Sequence, residues 1–364
     1  MRNCIFTPTY EGHFCYIKKY LESFALYVED ASSMPICFML SSKSEINAFS
    51  EIIKPYEGNL DITVYVFDEV IKNFGITIDT EEILKKYGHT SYQMLKKFYG
   101  MLYIDAEYFL VLDSEAAWIR QVNMGELLQN FIENPFVVVS DFESRKSTST
   151  FLKNHFAATN YILGYELEKM PFEHFMWIYS KKIINDVIKE YGQPYDMMLK
   201  VYEWEMKQRG SSVGLMETML ILNYIYKNAD ILGYRVICAE KELEKYLGID
   251  GANEYISKFF KVSNGGKLGI LEFPCDLLSN DNALNLSRLF KENNIWITRC
   301  DTVTYSNKKY ITKFVNDAGI AILAVGQDHI FLPGITQKDI KNIVFNHSLQ
   351  AIKLKVRGLI KKDV

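Results

Sequence analysis

Tyr108-Phe109-Leu110-Val111-Leu112-Asp113-Ser114-Glu115 is the stretch that decides the fold. Its first five residues are apolar without interruption, which is typical of a strand covered on both faces of a sheet. Two carboxylates then flank a single serine where the strand would end. Because side chains alternate along an extended chain, Asp113 and Glu115 are expected to point in roughly the same direction. The stretch predicts a buried strand that carries two acids to one edge of a sheet.

Similar apolar runs alternate with helical patterns through the first two-thirds of the chain. Two of the helices are predicted from about Phe14 to Tyr27 and from Tyr92 to Leu102. The further strands are predicted at 5–6, 36–40, 62–67, 136–139 and 233–237. Continuous apolar strands separated by helices indicate an α/β fold, with a mainly parallel sheet flanked by helices. Ligands of such open sheets collect beyond the carboxyl ends of the strands.

A breaker cluster, Ser263-Asn264-Gly265-Gly266, predicts a domain boundary near residue 264. It divides the chain into a larger domain, 1–263, and a smaller α/β domain, 264–364. The strands of the smaller domain are predicted at 268–271, 295–298, 320–325 and 330–332.

The smaller domain is predicted to end in a basic amphipathic helix. Its apolar face comprises Phe345, Leu349, Ile352, Val356 and Leu359, and lysines and an arginine crowd the rest. Such a helix either lies on an anionic membrane surface or packs on its own domain with a solvated basic face. The first alternative implies peripheral contact with the inner face of the membrane.

Composition excludes several classes of protein. With 48% hydrophobic, 14% aromatic and 24% charged residues among 364, the chain is not expected to be disordered. A net charge of -4 provides no general field for nucleic acid, so no nucleic-acid partner is expected. The six cysteines form no C-x-x-C pair, which favours free thiols in a reducing compartment. No run approaches the roughly 18 apolar residues of a membrane span. We expect a cytoplasmic protein.

The acids after the predicted strand suit a divalent cation. Two hard oxygen ligands, from Asp113 and Glu115, are typical of sites for Mg²⁺ or Mn²⁺, which keep waters and take further ligands from a substrate diphosphate. The alternative is a strand that simply ends at solvent, where acids are common.

The helical pattern before this strand carries Gln93-Met94-Leu95-Lys96, and the chain begins with Phe6-Thr7-Pro8-Thr9-Tyr10 around its first strand. Together with Asp113-Ser114-Glu115, these motifs resemble bacterial glycosyltransferases with the GT-A fold, especially those that assemble lipooligosaccharide or capsule. The resemblance covers roughly residues 1 to 240. In that group a D-x-D motif binds metal, and here Glu115 occupies its third position. The longer arm of glutamate leaves open whether it touches the metal directly or through water.

The resemblance implies transfer of a sugar from a nucleotide-sugar, preferentially a UDP-sugar, to a cell-surface glycan or glycolipid, assisted by Mn²⁺ or Mg²⁺. Retaining and inverting enzymes share this fold. A non-catalytic nucleotide-sugar or glycan-binding assembly protein on the same scaffold is the alternative. A P-loop and a G-x-G-x-x-G fingerprint are both absent from the sequence.

Several residues are candidates for donor binding. Lys96 would contact phosphate or donor sugar, unless it is a solvated helix lysine, and the amide of Gln93 would bond the donor. Thr7, Thr9 and Tyr10 would hold ribose and base through hydroxyl and stacking contacts, and Pro8 would shape the turn. Tyr10 is equally well interpreted as a packing residue. The donor-binding set is Thr7, Pro8, Thr9, Tyr10, Gln93, Lys96, Asp113 and Ser114.

The remaining candidates concern catalysis and the acceptor. Glu217, near the start of an apolar helix, is the predicted base for an acceptor hydroxyl, or otherwise an acid that caps the helix dipole. Asp141 is the second candidate base and could instead bind donor-sugar hydroxyls. His174 and Trp177 would stack on an acceptor sugar, with a plain core role as the alternative.

Overall fold

The computed structural model of the protein describes residues 2–141, 150–262, 269–272, 277–279, 282–300 and 308–325. The predicted strand at 330–332 and the predicted basic helix from Phe345 onward lie outside these residues. The described strands are β1 Asn3–Pro8, β2 Ile36–Leu40, β3 Ile62–Val66, β4 Tyr108–Val111, β5 Ala116–Trp118, β6 Phe136–Asp141, β7 Lys169–Met170, β8 Ile178–Ser180, β9 Arg235–Cys238, β10 Ile297–Cys300 and β11 Ile322–Val325.

The helices fill the intervals between these strands. They are α1 Phe14–Tyr27, α2 Ile46–Ile53, α3 Phe67–Val70, α4 Thr80–Tyr103, α5 Met124–Glu133, α6 Thr150–Leu163, α7 Lys181–Tyr191, α8 Pro194–Arg209, α9 Glu217–Lys227, α10 Ala229–Leu232, α11 Ala239–Val262, α12 Ala283–Glu292 and α13 Lys308–Ala318. Among the described helices, none combines the length and the apolar character that crossing a membrane requires.

The central sheet has five strands in the order β3-β2-β1-β4-β8. β1 pairs in parallel with β2 and β4, and β2 pairs in parallel with β3, whereas β8 runs antiparallel at the edge. All five residues of β2 are buried, as expected for an apolar strand between two paired neighbours. The prediction of a mainly parallel sheet flanked by helices is confirmed.

The register of this sheet brings three strand ends together. Phe6 of β1 lies opposite Cys37 of β2 on one side and Val111 of β4 on the other. Because the three strands are parallel, their carboxyl ends meet at one edge of the sheet. The residues that follow them, Thr9 and Asp113 among them, therefore converge there.

Helix α4 crosses above this edge and is longer than the sequence pattern predicts. It starts at Thr80, capped by the side chain of Asp79, and bends at Gly88, where φ is 83°. Gly100 lets the helix pack closely on β1, because a Cβ at this position would lie 2.3 Å from the ring of Phe6. This close approach sets the preceding turns of α4 over the end of β1.

Helix α1 covers the sheet through aromatic side chains. Tyr20 and Phe24 meet the ring of Trp118 edge-on, with centroids 4.9 and 4.8 Å apart, and all three are fully buried. Such edge-to-face pairs stabilise packing beyond the area that they bury. Much of the aromatic surplus of the sequence is used in this way.

Two smaller sheets extend the fold. One has the order β7-β6-β9, and the other has β10-β11-β5. In the second, β10 and β11 are parallel, and β11 pairs antiparallel with β5, which directly follows the Asp113–Glu115 turn. Described residues from both sides of position 264 thus share one sheet. The boundary near 264 stays a prediction.

Part of the strand prediction for residues 264–364 is wrong. Residues 269–271 do not form a strand in the described chain, because their amides bind the side chain and the main-chain carbonyl of Glu173 instead of a neighbouring strand. The amide of Ile270 donates to the carboxylate of Glu173 at 2.6 Å, and that of Leu271 donates to the Glu173 carbonyl at 2.9 Å. The next two strands exist but begin two residues later than predicted, at Ile297 and Ile322.

Candidate active site

A cavity of about 390 Å³ opens at the carboxyl edge where β1, β2 and β4 end. Its walls contain most of the residues that the sequence assigned to donor or metal. These are Pro8, Thr9 and Tyr10 after β1, Gln93 and Lys96 on α4, and Asp113, Ser114 and Glu115 after β4. Residues from three separate parts of the chain therefore meet in one place.

The turn after β4 is anchored to the turn after β1. Ser114 Oγ donates to Thr9 Oγ1 at 3.2 Å and lies 3.4 Å from Nδ1 of His13. The side chain of Asp113 is 31% exposed, whereas Glu115 is 9% exposed as a residue. Both acids line the cavity from the turn that follows β4.

The two carboxylates could bind a divalent cation and leave its other coordination positions open. Asp113 and Glu115 offer hard oxygen ligands on one wall, and the described residues contain no group of three His, Cys, Asp or Glu side chains arranged for a metal. A Mg²⁺ or Mn²⁺ ion held by two carboxylates takes its other ligands from water and from substrate phosphates. The two carboxylates suit a cation that also binds the diphosphate of a substrate.

Lys96 is not a solvated helix lysine. It is 3% exposed, and its Nζ donates to the Thr9 carbonyl at 2.5 Å and to Ser41 Oγ at 3.0 Å. Burial lowers the pKa of Lys96 to about 7, with the negative charges of Glu45 and Asp68 opposing this shift in part. The side chain holds the loop after β1 in place and changes its charge near neutral pH.

The next residue, Lys97, also lines the cavity, and the sequence pattern did not single it out. Its Nζ lies 2.7 Å from Oε1 of Glu217 and 4.9 Å from the ring centroid of Trp177. Burial lowers the pKa of Lys97, but the attraction of Glu217 and Asp113 outweighs it, so that the pKa lies above its ordinary value. Lys97 is a permanent buried cation at the wall of the site.

Glu217 is the first residue of α9, which confirms its predicted place at a helix start. It does not line the cavity, and its carboxylate contacts Lys97. The loop before it turns at Gly214, where φ is +82°, and the buried carboxylate of Glu205 accepts the amides of Val213 and Gly214 at 3.0 Å each. The role of Glu217 as a base stays a prediction.

Four other predicted residues do not line the cavity: Thr7, Asp141, His174 and Trp177. Thr7 is fully buried and hydrogen-bonded to the hydroxyl of Tyr20 at 2.9 Å, so it does not reach a ribose in this structure. Asp141 forms an ion pair with Lys169 beside β7.

His174 and Trp177 are core residues, 1% and 5% exposed. The main-chain amide of Met176 donates to Nδ1 of His174 at 3.0 Å, and burial lowers the pKa of His174 to about 4. Neither ring can stack on an acceptor sugar in this structure. Trp177 instead packs against Lys97.

Besides Lys97, the sequence reasoning also missed the cavity residues His13 and Arg299. The ring of His13 lies 4.2 Å from that of Tyr10, which is 37% exposed and available for stacking at the mouth of the site. Arg299 comes from β10, and its Nη1 is 4.0 Å from Oδ2 of Asp113. The Glu11-Gly12-His13 turn could have suggested the first, but no local pattern indicates the second.

The chain matches no family model, and no curated protein matches it at a significant level. Several solved structures match parts of the chain. Mouse xyloside xylosyltransferase 1 matches with a TM-score of 0.39 and 9% identity, over 66% of this chain and 86% of that one.

Galactosyltransferase LgtC, solved in complex with donor and acceptor sugar analogues, matches with a TM-score of 0.36 and 13% identity, over 66% and 74% of the two chains. The bifunctional glycosyltransferase WbbM matches with a TM-score of 0.35 and 11% identity, over 97% of this chain and 51% of that one. All three are glycosyltransferases by name. At these scores and identities the similarity does not establish what this chain acts on.

Proposed function

We propose that the protein is a glycosyltransferase that moves a sugar from a nucleotide-sugar, preferentially a UDP-sugar, to a cell-surface glycan or glycolipid. The observation that carries the proposal is the meeting of two carboxylates, two lysines and an arginine in one cavity at the carboxyl edge of a parallel sheet. This is where open α/β sheets bind ligands.

The charges of the cavity suit the chemistry of a nucleotide-sugar. Breaking the bond between sugar and diphosphate leaves negative charge on the departing phosphate, which fixed positive charges stabilise most effectively. Lys97 and Arg299 supply such charges at the wall near Asp113. Asp113 and Glu115 would hold a divalent cation, which neutralises the diphosphate further.

The remaining groups fit the nucleoside part of a donor. Tyr10 exposes a ring beside His13, and a base can stack on such a ring. Gln93 lies on the same wall, with Nε2 at 3.5 Å from the His89 ring nitrogen, and offers an amide for hydroxyl or carbonyl groups. We assign donor binding to these residues and to Thr9, Lys96 and Ser114.

The acceptor side is less defined than the donor side. Proton removal from an acceptor hydroxyl requires a base, and the predicted base Glu217 contacts Lys97 rather than the cavity. Asp113 and Glu115 are the carboxylates that the cavity itself presents. Glu217 would have to separate from Lys97 to reach an acceptor hydroxyl as a base.

The experiment that tests the proposal is a thermal-shift screen of nucleotide-sugars with and without Mn²⁺. A ligand that binds only the folded state raises the unfolding temperature, and the stabilisation grows with the logarithm of the ratio of its concentration to its dissociation constant. We expect one nucleotide-sugar to stabilise the protein selectively, and more strongly with Mn²⁺ than with EDTA. No stabilisation by any nucleotide-sugar would refute the proposal.

The alternative, a non-catalytic binding protein on the same scaffold, predicts the same stabilisation without turnover. Release of free nucleotide from the selected donor, measured with and without a glycan acceptor, separates the two. Asp113→Asn serves as the inactive control for a transferase. Equal and negligible release by wild type and variant across a panel of acceptors would favour the binding protein.

A further inference from the structure

Arg299 is far from the other cavity residues in sequence, and it reaches the cavity through the tertiary structure. It lies on β10, which belongs to the same small sheet as β5, the strand after the Asp113–Glu115 turn. Its side chain is 22% exposed and lines the cavity. The centre of its guanidinium lies 5.8 Å from the ring centroid of Phe175.

The contact between Arg299 and Asp113 is an ion pair without a hydrogen bond. Its 4.0 Å separation exceeds the range in which an N–H donates to a carboxylate oxygen. A guanidinium that meets a phosphate presents a rigid fork of donors, and two parallel hydrogen bonds can form. The same group that lies near Asp113 can therefore bind a phosphate placed beside it.

A comparison of the three cations shows why Arg299 matters most. Lys97 is held by the Glu217 carboxylate at 2.7 Å, whereas Arg299 lies 4.0 Å from the Asp113 carboxylate. Lys96, with a pKa of about 7, carries only part of a charge at neutral pH and donates to the Thr9 carbonyl. Arg299 keeps its full charge over the whole physiological range.

We propose that Arg299 is the residue that binds the diphosphate of the donor. This inference rests on the proposed function, and it adds a binding residue from the part of the chain after residue 264. It implies that Arg299 has opposite effects on two ligands. The guanidinium attracts a nucleoside diphosphate, and it repels a divalent cation from Asp113.

The test measures binding instead of activity, by titration calorimetry on the full chain. UDP, ADP, GDP and CDP are titrated first into the wild-type protein, with Mn²⁺ and with EDTA. The tightest binder is then titrated into Arg299→Gln, and Mn²⁺ alone is titrated into the same variant. Arg288→Gln, on the exposed face of α12, is the matched control.

We expect Arg299→Gln to lose about tenfold or more in nucleotide affinity, as for the loss of charged hydrogen bonds. Its affinity for Mn²⁺ should not fall, and the control should bind both ligands like wild type. Unchanged nucleotide affinity in Arg299→Gln, or an equal loss for nucleotide and Mn²⁺, would overturn the inference.

Two further outcomes are separable. If the wild-type protein binds none of the four nucleotides, the proposed function fails before Arg299 is tested. If Arg299→Gln does not fold, Arg299→Lys replaces it, since lysine keeps the charge and loses the fork. We then expect a loss of about threefold or more, and an affinity equal to wild type would contradict the proposal.

Discussion

The buried ion pair between Lys97 and Glu217 allows the sharpest prediction. The side chains are 8% and 6% exposed, and their charges lie 2.7 Å apart. With an effective dielectric constant of about 20, the attraction is roughly 6 kcal/mol, but burial of each ion costs several kcal/mol in return. The pair as a whole is therefore expected to contribute little to stability, whereas either charge alone would be strongly unfavourable.

We expect Lys97→Met and Glu217→Gln each to lower the free energy of unfolding by about 3 kcal/mol or more. The double variant should lie within about 2 kcal/mol of wild type, because it leaves no unpaired charge. Urea unfolding at neutral pH, followed by tryptophan fluorescence and by circular dichroism, measures all four proteins. Lys182→Met, at an exposed position on α7, is a control for the loss of a surface lysine.

Additive losses in the double variant would refute this reasoning, since they would mean that the two charges do not depend on each other. The pH dependence of the free energy of unfolding provides a second check. The pKa of Lys97 is raised in the folded state, so the stability that it contributes is fully present below its ordinary pKa of 10.5 and is lost only in alkaline solution. A loss at neutral pH would point to another group.

The same variants decide the role of Glu217. A base that acts on the acceptor hydroxyl predicts that Glu217→Gln lowers kcat by a factor of about 10² to 10⁴ while donor binding stays unchanged. A residue that holds Lys97 predicts weaker donor binding together with lower stability. Donor affinity and kcat, measured on the folded fraction, separate the two.

Three further predictions follow from the site and the core. Between pH 6 and 8, donor affinity should fall as the pH rises through about 7, because Lys96 loses its charge there, and Lys96→Met should remove this dependence in binding titrations at each pH. Asp113→Asn should reduce Mn²⁺ affinity by about tenfold or more, since it removes a charged ligand, as followed by calorimetry against the surface variant Asp105→Asn. Gly100→Ala should destabilise the fold by about 1–3 kcal/mol through its clash with Phe6, and an unchanged unfolding temperature would contradict this.

Local patterns predicted the helices and strands that bury one repeating face. Helix α1 begins and ends at the predicted residues, Phe14 and Tyr27, because its aromatic side chains recur at helical spacing. Helix α4 begins at Thr80, twelve residues before the predicted start at Tyr92, because the residues before Gly88 are mostly polar and their helix depends on a cap at Asp79. The apolar residues at 269–271 predicted a strand, but the structure has a turn there because the amides of Ile270 and Leu271 bind Glu173, which is far away in sequence.

The candidate site divides in the same way. The convergence of Asp113, Gln93 and Lys96 on one cavity was predictable, since the acid follows a parallel strand and the other two recur at helical spacing. The burial of His174 was not, since it lies in an aromatic cluster that the sequence cannot distinguish from a surface patch. Burial depends on what packs against a segment, and that is absent from the segment itself.

By itself, the sequence determined that a buried strand ends in Asp113 and Glu115 and that a parallel sheet surrounds it, because alternation and apolar runs are properties of neighbouring residues. Only the tertiary structure decided that Glu217 pairs with Lys97 and that Arg299 faces Asp113. Those contacts join residues far apart along the chain, and they arise from how strands and helices dock. Electrostatic partners of this kind follow from distance in space, which local periodicity does not encode.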